Sequence, residues 1–220
     1  LSNIFKAARP ERIVVHAGRV KTGSTYLQAN MMELASTLED HGWFFPQSLL
    51  KIGDLQYESR GLRTTGHACL AKLAAKHSIS AEILERFQEE AQDKKGKCLL
   101  LSAENLGRDS SEGRLSGLEP IFDGLDVEII VYLRRPSDWI NSYYMEQITG
   151  GHQHAGQQFD RVLEDFRKAA DALGFVDQCQ GWRKKPTLRF RNYDLARRSE
   201  HGLLGDFCQS IGLPRLPEAT

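Results

Sequence analysis

Strand-like apolar runs alternate with helical patterns along the whole chain, and this alternation constrains the fold more than any other feature. RIVVHAG (12–18) is a short β-branched run ending in glycine, and GWFFP (42–46) is a second, closed by Pro46. KCLLLSAEN (97–105), VEIIVYLRRP (127–136) and PTLRFRNYDL (186–195) follow. The run at 97–105 is apolar without alternation, the pattern of a strand covered on both faces. Between these runs, residues 24–40 set Leu27, Met31, Leu34 and Leu38 on one helical stripe. Helices are expected over 66–77 and 80–95. Pro136 stands where a helix over 137–148 should begin, carrying Trp139, Ile140, Tyr143, Tyr144 and Ile148 at helical spacing. Further helices are expected near 158–172, 175–183 and 202–212. Residues 47–65 and 150–157 are expected to be loops. The alternation predicts a three-layer α/β fold, a mostly parallel central sheet flanked by helices. The 220 residues suffice for one such domain, spanning 1–220, with no repeat or linker.

Charge removes some classes of partner. Twenty-nine basic residues balance 29 acidic ones, so nothing favours nucleic acid or an anionic membrane as a partner, and any anion site must be built locally. The basic run at 183–185 is expected to be a solvated turn. The four cysteines, Cys69, Cys98, Cys179 and Cys208, form no C-x-x-C and suggest neither a disulfide framework nor a zinc site. No apolar run approaches the roughly 20 residues of a membrane-spanning helix. A reduced, cytoplasmic compartment is the expectation. Trp43, Phe44 and Phe45 are assigned to the core.

The densest chemical signal is IVVHAGRVKTGSTYLQ (13–28), a strand, a glycine-bearing turn and a helix start. Amide N–H groups in a tight turn make an anion-binding nest. A helix N-terminus adds unpaired donors and the positive end of its dipole. Gly18 and Gly23 permit the turn, Ser24 and Thr25 offer backbone and hydroxyl donors, and Lys21 adds a mobile charge. The triphosphatase form is G-x-x-x-x-G-K-[ST]. Here Ser24 follows Gly23, where lysine would stand, and the run SAEN offers Glu104 but no aspartate for magnesium. A P-loop kinase or nucleotide triphosphatase is therefore the alternative reading, and a non-catalytic nucleotide-binding module is another.

HAGRVKTGSTYLQ resembles the 5′-phosphosulfate-binding loop of the sulfotransferase family. The resemblance implies 3′-phosphoadenosine 5′-phosphosulfate as donor, 3′-phosphoadenosine 5′-phosphate as product and no metal requirement. Lys21, Thr22, Gly23, Ser24 and Thr25 would hold the 5′ end. The family binds the 3′-phosphate with a strand-end arginine and a serine eight residues later, and VYLRRPSDWINSYY offers Arg134 and Ser142 at that spacing. A strand-end arginine lies where parallel sheets bind ligands, and its fork suits phosphate. LRFRNYDLARR is similar to the family's late strand and turn, which would set Tyr193 near the adenine or leave it as a half-buried strand-end tyrosine. The R-K-G-x-x-G segment of classical cytosolic members does not occur in the chain.

Sulfuryl transfer requires electrostatic stabilisation of the leaving phosphate, a task for Lys21, and a base for the acceptor. Family members use histidine or glutamate. Glu104, at the end of the strand at 97–103, ranks first, and His67, at a helix start, second. His16 lies within its strand and is assigned to the core, although it could aim at the crevice. His152 and His154 sit in a glycine-rich loop without a third ligand and are not read as a metal site; that loop and residues 47–65 could shape an acceptor site. The acceptor, a small molecule or a carbohydrate, would present a hydroxyl or, second, an amine. Nothing in the chain names it, and oligomeric state is equally unreadable.

Overall fold

The structure is a computed structural model, and it describes residues 8–50, 58–59, 62–63, 66–67, 74, 81–107, 115–122, 124–149, 160, 162–164, 167 and 173–217. In chain order the elements are β1 (Ile13–His16), α1 (Ser24–Glu33), α2 (Ala35–Asp40), β2 (Trp43–Phe44), β3 (Glu58–Ser59), β4 (Leu62–Arg63), α3 (Ala81–Ala91) and β5 (Cys98–Ser102). A 3₁₀ turn (Glu104–Gly107) follows β5, and a second (Ser116–Leu118) leads into α4 (Glu119–Phe122). Then come β6 (Val127–Leu133), α5 (Pro136–Thr149), α6 (Leu173–Gln180), β7 (Thr187–Asn192), α7 (Tyr193–Ala196) and α8 (Gly202–Ile211).

Five parallel strands form the central sheet in the order β2-β5-β1-β6-β7. The strand of highest β-branched density, β1, is its centre and is buried along its whole length. Its alternate residues feed opposite faces, as the two-residue period requires. Ile13 and Val15 join Leu99, Leu101, Ile129 and Val131 under Phe87, Phe122 and Phe175. Val14 joins Leu100, Ile130 and Tyr132 under Leu27, Met31, Leu204 and Phe207. Helices thus cover both faces, and the expected three-layer α/β class is the observed one. Trp43, Phe44 and Phe45 are buried as expected. The basic run at 183–185 is exposed.

Two polar braces fix the layers. Glu128, on the buried strand β6, pairs with Arg12 and Arg189, and Arg12 also donates to the Ile211 carbonyl at the end of α8. Asp206 on α8 accepts from the Tyr132 hydroxyl at 2.7 Å and takes the Arg191 guanidinium in a fork, at 2.7 and 2.6 Å. Burial acts to raise the Asp206 pKa, but the Arg191 and Tyr132 hydrogen bonds outweigh it and hold the carboxylate below its ordinary value. This second brace ties β6, β7 and α8 together.

Several boundaries differ from expectation. The helix expected over 24–40 breaks at Leu34, which leaves helical geometry at φ −95°, ψ 19° and divides α1 from α2. The last strand stops at Asn192, whose side chain accepts from the Leu195 amide and starts α7. Tyr193 is therefore the first residue of a short helix, not a strand end. The region 47–65, expected to be irregular, contains the antiparallel pair β3–β4. His67 is not helical. His152, His154 and Cys69 lie outside the described residues. No helix of the described residues is long and apolar enough to cross a membrane.

Candidate functional site

The carboxyl ends of the central strands carry the polar residues that the sequence singles out. β1 ends at His16, and the chain then turns through residues 17–23 into α1. Three residues of this turn take left-handed backbone: Gly18 at φ 37°, Lys21 at φ 67° and Gly23 at φ 73°. For lysine that geometry costs about 1–2 kcal/mol, so the turn must be held from outside. Two side chains from beyond β6 do so. The Trp139 indole of α5 donates to the Val20 carbonyl at 2.8 Å, and the Arg134 guanidinium donates to the Lys21 carbonyl at 3.3 Å.

Inside the turn the hydroxyls are already engaged. Thr22 is fully buried; its hydroxyl donates to the Arg19 carbonyl at 2.6 Å and accepts from the Arg19 amide at 3.2 Å. The Ser24 hydroxyl also donates to the Arg19 carbonyl, at 3.2 Å. The Ser24 hydroxyl, expected from sequence to offer a donor to a ligand, makes this internal bond within the turn. α1 starts without a side-chain cap, and the amides of a helix N-terminus are suited to an anion. Thr25 is exposed there.

Gly23 is demanded twice. Its φ disfavours any L side chain, and a Cβ would lie 2.5 Å from Leu203 Cδ2 and 3.1 Å from Tyr193 Cε2. Leu203 belongs to α8, so the Asp206 brace also sets the wall behind the turn. Tyr193 packs under Gly23 and beneath Arg134, whose guanidinium carbon is 5.3 Å from the ring centre. Arg134 lies 3.7 Å from the Asp194 carboxylate, which also accepts from the Arg135 amide. The structure therefore brings together Lys21, Gly23, Arg134 and Tyr193. Ser142 is half-buried in α5, the helix whose Trp139 grips the turn.

Glu104 opens the 3₁₀ turn after β5 and is half-buried. Its predecessor is tied to β1, since the Ala103 amide donates to the His16 carbonyl at 2.9 Å. Glu104 thus lies next to the root of the phosphate-loop candidate. His67 is the second candidate for the base. It is fully buried. Its Nε2–H donates to the Pro46 carbonyl at 2.9 Å, and its Nδ1 accepts the Ser102 amide, also at 2.9 Å. Both nitrogens are committed, and burial drives its pKa down to about 4. His67 is a clamp: its own amide also donates to the Ser102 carbonyl.

Ser102 is the centre of this buried polar network. Its hydroxyl lies 2.8 Å from His16 Nδ1 and accepts from the Gln28 amide at 3.2 Å. His16 is fully buried, edge-on to Tyr132 and Phe207, and burial lowers its pKa to about 4. The assignment of His16 to the core agrees with this placement. Sequence reasoning missed Gln28, which links α1 to β5, and Trp139 as a loop anchor. It also missed Glu146, whose carboxylate lies 3.5 Å from Lys21 Nζ. Helical spacing held the clue: Trp139 and Glu146 are seven residues apart on α5, two turns along one face.

No known protein-family profile matches this chain. No curated protein matches it either. Among solved structures, a sulfotransferase from Alicyclobacillus acidocaldarius is similar at 14% identity and a TM-score of 0.49, over 96% of this chain and 84% of that one. The sulfotransferase domain from the curacin biosynthetic pathway is similar at 14% identity and 0.48, over 99% and 76%. The sulfotransferase domain from the Synechococcus PCC 7002 olefin synthase is similar at 14% identity and 0.46, over 93% and 73%.

Proposed function

We propose that the protein is a sulfotransferase, taking 3′-phosphoadenosine 5′-phosphosulfate as donor and a hydroxyl of a small molecule or carbohydrate as acceptor. The observation that carries this reading is the 3.3 Å hydrogen bond from Arg134 to the Lys21 carbonyl. Two anion motifs more than a hundred residues apart in sequence meet at the carboxyl ends of the adjacent strands β1 and β6, where parallel sheets bind ligands.

In this reading the first-turn amides of α1 and the Lys21 ammonium hold the 5′ end of the donor, Arg134 and Ser142 hold the 3′-phosphate, and Tyr193 sits beside the adenine. Arg134 would exchange its 3.7 Å approach to Asp194 for a charge-assisted contact with phosphate. The donor supplies an activated sulfuryl group. The acceptor oxygen bonds to sulfur as the bond from sulfur to the 5′-phosphate oxygen breaks. Glu104 takes the acceptor proton, and Lys21 stabilises the charge left on the departing phosphate. The committed nitrogens of His67 support Glu104 as the base and His67 as its neighbour's scaffold.

Calorimetry tests the donor assignment. 3′-Phosphoadenosine 5′-phosphate is expected to bind at least tenfold more tightly than AMP without magnesium, and Arg134→Ala is expected to remove most of that preference. Equal binding of the two nucleotides, or a strict need for magnesium, would refute the reading.

A further inference from the structure

The Lys21 side chain and the Lys21 backbone are held by different groups, and that separation has a functional use. The backbone of the turn is anchored through the Val20 and Lys21 carbonyls, by Trp139 and Arg134. The ammonium instead lies 3.5 Å from the Glu146 carboxylate on α5. Both side chains are only partly covered, at 25% and 29% exposure. The ammonium can therefore leave Glu146 by side-chain rotation, without disturbing the left-handed turn. Glu146 follows Trp139 by two helical turns and Ser142 by one, so a single face of α5 carries the anchor of the turn, the candidate phosphate serine and this carboxylate.

We propose that Glu146 is the resting counter-ion of Lys21 and competes with an incoming phosphate or sulfate ester for that ammonium. Until an anion arrives it neutralises the Lys21 ammonium. An arriving anion must take Lys21 from it and then sits close to a like charge. On departure of the anion, Glu146 takes the ammonium back, which favours release. The inference rests on the reading of Lys21 as an anion clamp, and it assigns Glu146 a positioning role toward Lys21, not contact with the reacting atoms.

The test is calorimetry at low ionic strength with two probes, inorganic pyrophosphate and 3′-phosphoadenosine 5′-phosphate. Glu146→Gln is expected to tighten pyrophosphate binding roughly three- to tenfold, the range for losing a partly exposed ion pair together with a nearby repulsion. In a Lys21→Met background the same substitution should change binding less than twofold, because the competition has lost its object. A purely structural role for Glu146 would not depend on Lys21. Pyrophosphate binding by Glu146→Gln no tighter than by the wild type, including none at all, overturns the proposal, as does an equal gain in the Lys21→Met background. The nucleotide probe separates the two ideas: wild-type protein that prefers the bisphosphate over AMP, with no gain in Glu146→Gln, refutes this inference alone. A gain with pyrophosphate but no nucleotide preference refutes the donor assignment alone.

Discussion

His67 and His16 should make this protein sensitive to mild acid, by an amount that follows from their burial. Each has a pKa of about 4 in the folded chain, against an ordinary 6.5. The folded value is the lower one, so the unfolded chain binds protons that the folded chain refuses. Stability is full above pH 6.5 and falls as the pH drops toward 4. At pH 5 each histidine costs about 2 kcal/mol relative to pH 7, approaching about 3 kcal/mol by pH 4. The pair together costs about 4 kcal/mol at pH 5, a large part of a stability of about 5–15 kcal/mol. Urea denaturation of the wild type and His67→Gln at pH 7 and pH 5 checks this. Glutamine keeps a donor for the Pro46 carbonyl but loses the acceptor for the Ser102 amide, so the variant should be about 1–3 kcal/mol weaker at pH 7. Because glutamine does not titrate, that deficit should shrink by about 2 kcal/mol at pH 5. Parallel pH dependences would refute the claim that His67 is a buried neutral clamp. Imidazole nitrogen shifts of the wild type give a second readout: the Nε2–H tautomer should persist at pH 5.

Two further substitutions probe the turn and the base. Gly23→Ala should cost about 1–3 kcal/mol of stability, from the left-handed backbone and the approach of a Cβ to Leu203 and Tyr193, and should weaken pyrophosphate binding by more than tenfold; denaturation and calorimetry measure the two effects. Glu104→Gln should lower turnover roughly 10²- to 10⁴-fold, the usual contribution of a general base, while leaving 3′-phosphoadenosine 5′-phosphate affinity within twofold. Single-turnover assays with labelled donor, on an acceptor found by screening, would show it; unchanged turnover would remove Glu104 from the chemistry.

What could be read from the sequence was what depends on local pattern. The alternation of apolar runs and helical stripes specified the layers, because each element must bury its own apolar face whatever its neighbours do. Strand order could not be read so: β5 lies between β1 and β2, although 81 residues separate the end of β1 from the start of β5. The turn at 17–23 was legible as a phosphate-loop candidate because glycine spacing reports backbone need. The engagement of Ser24 and Thr22 within that turn was not, since hydroxyls have two equally good uses, outward to a ligand or inward to the Arg19 carbonyl. The burial of His67 was hidden for a related reason. Its chemistry is set by burial against Phe45, at 4.6 Å between ring centres, and by partners on two distant segments, Pro46 and Ser102.

The same physics explains why the candidate site is built largely from backbone and long side chains. A neutral chain has no surplus of positive charge to aim at an anion, so the turn relies on helix-end amides, which carry partial charge at fixed positions. Fixed amides require a fixed turn. Its strained residue, Lys21, also carries a cation, and the structure separates these duties: Arg134 and Trp139 hold the backbone of the turn, while Glu146 keeps the ammonium. Arg134 in turn is shared between that carbonyl, Tyr193 and Asp194. An anion entering beside Arg134 would therefore alter the support of the turn as well as its own binding, so the two anion positions should be energetically coupled. Arg134→Ala should accordingly weaken pyrophosphate at the turn as well as the nucleotide, by about two- to fivefold, the worth of one net hydrogen bond of about 0.5–1 kcal/mol. Pyrophosphate affinity unchanged by Arg134→Ala would mean that the turn holds itself, and that the convergence of the two motifs is spatial without being energetic.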